Sequence, residues 1–168
     1  DQSLARKGTL YLLAVGVNQY ANAQFNLRYA VPDAQVVSAE LQTQQGKLDQ
    51  FQRVVVVSLL DAQATKANLL AALARLAGET KLPSNVSATL QPLQRSEPED
   101  AVIVYFAGHG LAVQNQFYLI PHDLGYDGAR ESLDEASIKN VLAHSVSDRE
   151  LEAAFETIDA RHLLLVID

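Results

Sequence analysis

With 168 residues, 48% of them hydrophobic and 20% charged, the chain has the size and composition of one globular domain able to bury a full core. A formal net charge of −7 with no basic stripe excludes nucleic-acid binding as its main task, and an acidic surface suits a cationic ligand instead. No apolar run is long enough to cross a membrane, the N-terminus lacks the layout of a signal peptide, and the absence of cysteine removes disulfides and thiol chemistry from these residues, so the expected location is the cytoplasm.

Leu10 to Val17 (LYLLAVGV) is a nearly continuous apolar run closing on Asn18, as in a strand buried on both faces. Pro32-Asp33 then opens a helix on which Ala34, Val37 and Leu41 recur at helical spacing, with Gly46 after its end. Phe51 to Leu60 (FQRVVVVSLL) reads as a second strand. Thr65 is the expected N-cap of a helix through Leu69, Leu70, Leu73 and Leu76 that ends at Gly78. A proline-containing polar stretch, Leu82 to Asp100, reads as a loop with room for a short helical piece.

Val102 to Gly110 (VIVYFAGHG) is a third buried strand that stops on a histidine between two glycines. Gln116 to Pro121 (QFYLIP) reads as a short strand or hairpin arm, followed by a polar loop rich in Gly and Asp. Asp148 to Ile158 is a helix capped by Ser147, with Leu151, Phe155 and Ile158 on one face. His162 to Asp168 (HLLLVID) is a fourth buried run. Strands alternating with helical crossovers give an α/β fold with a mostly parallel central sheet and helices on both faces. The ligand site of such a sheet lies beyond the carboxyl ends of its strands, where Asn18, His109 and Asp168 fall. A chain that starts at Asp1 and stops at Asp168 directly after an apolar run reads as a segment of a longer protein.

Several chemistries lack their residues. There is neither GxGxxG nor GxxxxGK[ST], so a nucleotide-responsive receiver-type domain is disfavoured. The four histidines, His109, His122, His144 and His162, show no zinc spacing, and GxSxG is absent. His109 remains: an imidazole at a strand tip can pass a proton in either direction near working pH, and the Gly110 N–H beside it is a candidate oxyanion donor. The competing reading is a turn histidine bonded to a carbonyl. Tyr105 and Phe106 read as core.

Four blocks in order, LYLLAVGVNQY (Leu10 to Tyr20), LRYAVPDA (Leu27 to Ala34), YFAGHG (Tyr105 to Gly110) and LLLVID (Leu163 to Asp168), resemble the caspase-like cysteine peptidases. The likeness is to the bacterial caspase homologues related to metacaspases and paracaspases, and it spans nearly the whole chain as the large, p20-type portion of that domain. The resemblance implies a caspase-like three-layer sandwich and a cysteine endopeptidase with a His–Cys dyad. His109 matches the catalytic histidine and Gly110 the oxyanion-hole glycine. Asp168 matches the aspartate of an Asp-x-Cys motif, which places the nucleophile two positions after it. Asp33 and Asp168 match the two carboxylates that line a pocket for Arg or Lys, so the implied partner is a polypeptide cleaved after a basic residue. For Asp33 the alternative is a helix-start carboxylate favoured by the dipole. Arg28 lies one position out of register with the arginine of true caspases, and no role is transferred to it.

The resemblance also implies a smaller, p10-type portion of the same protein that completes the sheet. No resident cofactor or metal is expected. Some relatives bind calcium as an activator through acidic loops, for which Asp123, Asp127, Glu131, Asp134 and Glu135 are available, although they lack EF-hand spacing and read more simply as a solvated loop. A different class of function fits the same residues: a caspase-like module without peptidase activity, serving as an interaction or regulatory domain.

Overall fold

The computed structural model describes residues 6–168. In chain order the elements are β1 (Thr9–Gly16), α1 (Ala30–Leu48), β2 (Arg53–Leu60), α2 (Lys66–Leu76), β3 (Ala101–Ala107), β4 (Gly110–Val113), β5 (Gln116–Leu119), α3 (Glu135–His144), β6 (Val146–Ser147), α4 (Asp148–Glu156) and β7 (His162–Ile167), with four single-turn 3-10 helices between them. The four apolar runs form one parallel sheet in the order β2-β1-β3-β7, and the three short strands form an antiparallel sheet in the order β4-β5-β6. This is the expected α/β architecture with a mostly parallel central sheet.

Two cores flank the sheet. The smaller one joins Leu12, Ala14, Tyr105 and Ala107 to Ala30 and Ala34 of α1. Gly16 permits that approach, because a Cβ there would stand 2.8 Å from the Ala30 carbonyl oxygen and 3.1 Å from the Ala34 methyl. The larger core joins Leu13, Val15, Val104 and Phe106 to Leu69, Leu73 and Leu76 of α2 and to Leu151 of α4. In-register pairing sets Gly16 level with Leu60 and Ala107, and Phe106 level with Ile167. All four strands therefore end at one edge of the sheet, where the polar residues follow.

Both helix signals after β2 hold. The Thr65 hydroxyl accepts the Asn68 N–H at 3.1 Å, and Gly78 follows α2 at φ 108°. Ser147 and Glu150 close a reciprocal capping box at the start of α4. The first helix differs from its expectation at both ends. It starts at Ala30, and Pro32 sits inside the first turn, where its missing N–H would lack an intrahelical partner anyway. Tyr29, at the N-cap position before it, makes no side-chain cap bond, and the Asn18 side chain reaches across to accept the Val31 N–H at 3.1 Å. Gly46 lies within the helix on an open face; the chain leaves it through Asp49 at φ 47°.

Two further differences are larger. Part of the polar stretch after β5 is a helix, α3, with Asp134 accepting the Ser137 N–H as its cap. Of its residues only Val141 is fully buried. The run His162 to Asp168 is not buried on both faces: β7 is an edge strand, with Leu164 52% and Ile167 45% exposed. Having a neighbour on one side alone, it leaves its outer residues uncovered. Among the described residues, no helix is long and apolar enough to cross a membrane.

Candidate functional site

The site is built from the loops that leave the aligned strand ends. The turn after β1 is anchored by Asp61, whose carboxylate accepts the N–H groups of Asn18 and Gln19, each at 2.8 Å. Asn18 spends its own side chain on the Val31 N–H and the Arg28 carbonyl. Of the three polar strand ends, Asn18 is thus a scaffold residue.

His109 is fixed at three points. Its backbone N–H donates to the Tyr20 hydroxyl at 2.8 Å, and its carbonyl accepts the Ile120 N–H at 2.9 Å. Its Nε2 lies 2.7 Å from the Phe25 carbonyl oxygen. A carbonyl can only accept, so Nε2 carries the proton in this contact and the neutral ring keeps its lone pair on Nδ1. The Tyr20 ring lies 5.1 Å from the imidazole, and the Phe25 ring meets it edge-on at 6.2 Å. The imidazole does bond a carbonyl, as the simpler reading had it, yet that bond selects a tautomer and leaves the other nitrogen available. Burial pushes the Tyr20 phenol up to about 12, against the His109 N–H, which pulls it down.

Gly110 opens β4. Because Ile120 bonds the His109 carbonyl, antiparallel alternation turns the Gly110 N–H away from β5. A Cβ at Gly110 would stand 2.6 Å from the tip of the Phe117 ring, so a larger residue there requires that ring to shift.

Asp33 and Asp168 come together. With Arg28, Tyr29 and Gly108 they line a cleft of about 150 Å³ next to the His109 turn. The Asp168 N–H donates to the Phe106 carbonyl at 2.9 Å, continuing the β3–β7 ladder. Tyr105 belongs to this site as well as to the core: its ring is buried, and its hydroxyl donates to Asp168 Oδ2 at 2.7 Å. Burial pushes the Tyr105 phenol well above its ordinary range, and the bond to Asp168 and the charges of Asp168 and Asp33 push it further. It therefore stays a donor. Arg28 makes no ion pair with either aspartate, and the cleft keeps one negative charge in excess.

Among the described residues no group of three or more His, Cys, Asp or Glu side chains could hold a metal ion. In the acidic stretch, Asp134 caps α3 and Glu135 pairs with Lys139 at 3.4 Å. Asp123 and Asp127 line an open cleft with His144, whose Nδ1 faces the Asn140 carbonyl. His122 Nδ1 faces the Gln19 carbonyl.

Tyr20, Phe25 and Tyr105 are the site residues that the sequence does not reveal. Tyr20 is 89 positions from His109, with no spacing to connect them. Phe25 contributes a backbone carbonyl, which leaves no trace in residue identity. Tyr105 sits in an apolar run whose neighbours are all core. No family model and no curated protein matches the chain.

Proposed function

We propose that the chain is the large portion of a cysteine endopeptidase that cleaves after Arg or Lys, with His109 as the general acid and base. The observation that carries this reading is the arrangement at the end of β3: an imidazole whose Nε2 is tied to the Phe25 carbonyl, beside a cleft holding Asp33 and Asp168. A histidine held in one tautomer, one residue from the Gly108 wall of an acidic cleft, sets proton transfer beside recognition of a cation.

The reading requires a cysteine two positions beyond Asp168. That position continues β7, the neighbour of β3, whose chain runs on into the His109 turn. The thiol gives its proton to Nδ1, and sulfur attacks the carbonyl carbon of the scissile bond. The Gly110 N–H is the candidate donor to the resulting oxyanion. As the C–N bond breaks, the imidazolium returns the proton to the leaving amine, and water then hydrolyses the thioester. Asp33 and Asp168 hold the guanidinium or ammonium of the residue before that bond, with Tyr105 fixing Asp168. As an edge strand with Leu164 and Ile167 exposed, β7 fits the p10-type portion as its covering partner.

The test uses the full-length protein and two fluorogenic peptides, one ending in Arg and one in Asp, with and without calcium. Cleavage of the Arg peptide alone, lost in His109→Ala, is the expected result. Cleavage after Asp overturns the roles of Asp33 and Asp168. Cleavage of neither peptide favours the inactive regulatory module.

A further inference from the structure

Resting on the peptidase reading, we infer that the cavity on the other side of His109 receives an apolar side chain from the residue that follows the scissile bond. The turn from Ala107 to Leu111 separates two spaces. Ala107 and Gly108 line the acidic cleft, whereas His109, Gly110 and Leu111 line a partly enclosed cavity of about 180 Å³. Its walls are Phe25, Leu124, Leu133, Ile138 and Val141, and no carboxylate lines it. Arg130 closes one side, its guanidinium 5.5 Å from the centre of the Phe25 ring.

The chemistry orients a substrate across this turn. A basic side chain occupies the acidic cleft on the amino side of the scissile bond. The leaving amine must face the imidazole that protonates it, so the next residue enters on the His109 side. The space waiting there is aliphatic and aromatic, and it shares its Phe25 wall with the carbonyl that holds the imidazole. The site therefore reads two successive residues by opposite chemistry, a cation and then a hydrocarbon.

Internally quenched peptides with Arg before the scissile bond and Leu, Gly or Asp after it test this on the full-length protein. The Leu peptide is expected to exceed the Gly peptide by about tenfold or more in kcat/KM. Leu133→Trp, which fills the cavity from its half-buried rim, is expected to bring that ratio close to one, and Ile138→Phe is a second variant should the first fail to fold. Equal cleavage of the Leu and Gly peptides, or a Leu preference unaltered by both variants, overturns the inference and leaves the peptidase reading intact. Preference for Asp assigns the cavity to Arg130 and also overturns it. Cleavage of no peptide overturns the peptidase reading, and the inference with it.

Discussion

The Tyr20 hydroxyl accepts the backbone N–H of His109 at 2.8 Å, tying the loop after β1 to the tip of β3. Tyr20→Phe leaves that N–H without its acceptor in a largely buried place. A loss of about 1–3 kcal/mol in unfolding free energy is expected from urea titration. The variant also separates the pH effects. The folded phenol ionises at about 12 and the free one at 10.0, so the stabilisation is complete below the lower value and is lost as pH rises through the interval. Wild-type stability should therefore fall more steeply than that of Tyr20→Phe between about pH 10 and about pH 12.

The acidic cleft makes a prediction about binding. Asp33→Asn keeps the shape of the side chain and removes one charge from the cleft. Hydrogen bonds to a charged group contribute about 1.5–3 kcal/mol, so KM for an Arg peptide should rise roughly 10- to 100-fold, with a smaller change in kcat. Tyr105→Phe frees Asp168 from its donor and should raise KM in the same direction by less. A fall in kcat alone would remove Asp33 from substrate binding.

Gly110 and Phe117 form a steric pair. Gly110→Ala drives a methyl into the end of the Phe117 ring and should cost about 1–3 kcal/mol, read by thermal or chemical unfolding. Phe117→Leu removes the obstructing ring. The double variant should regain part of the loss, so that the two substitutions are clearly non-additive. Additive losses would mean that the strain lies elsewhere.

The start of α4 is the acid-sensitive joint. Glu150 accepts the Ser147 N–H at 2.9 Å and pairs with Lys66 of α2 at 2.9 Å. Burial raises its carboxyl, but the bonds to Lys66 and Ser147 outweigh burial and hold it below the ordinary 4.5. A lowered carboxyl stabilises the fold above its ordinary value, and that contribution disappears as pH falls through the folded one. Glu150→Gln should flatten the acid limb of the stability profile. Ser147→Ala should cost about 1 kcal/mol at neutral pH.

The strands of the central sheet were legible because each is a run of β-branched and apolar residues bounded by polar turns, and the caps at Thr65 and Ser147 were legible because capping chemistry is local. The early start of α1 was not: its cap is Asn18, which is distant in sequence from the helix start it serves. The helix α3 was less legible: Ile138, Val141 and Leu142 recur at helical spacing, but over little more than one turn beside a Gly- and Asp-rich loop. The exposure of β7 depends on what lies beside it, and a run of Leu and Val reads the same at the centre of a sheet as at its edge.

The amino-acid sequence by itself determined the fold class, the position of His109 at a strand tip, and the pairing of Asp33 with Asp168 as candidates. These follow from hydrophobic periodicity, turn residues and a resemblance carried by four short blocks. Tertiary structure alone decided that Phe25 selects the tautomer of His109, that Tyr105 reaches from the core to Asp168, and that an apolar cavity lies opposite the acidic cleft. Each of these is a contact between residues far apart in the chain. A parallel sheet makes such contacts by bringing every strand to the same edge, which no local pattern in the sequence records.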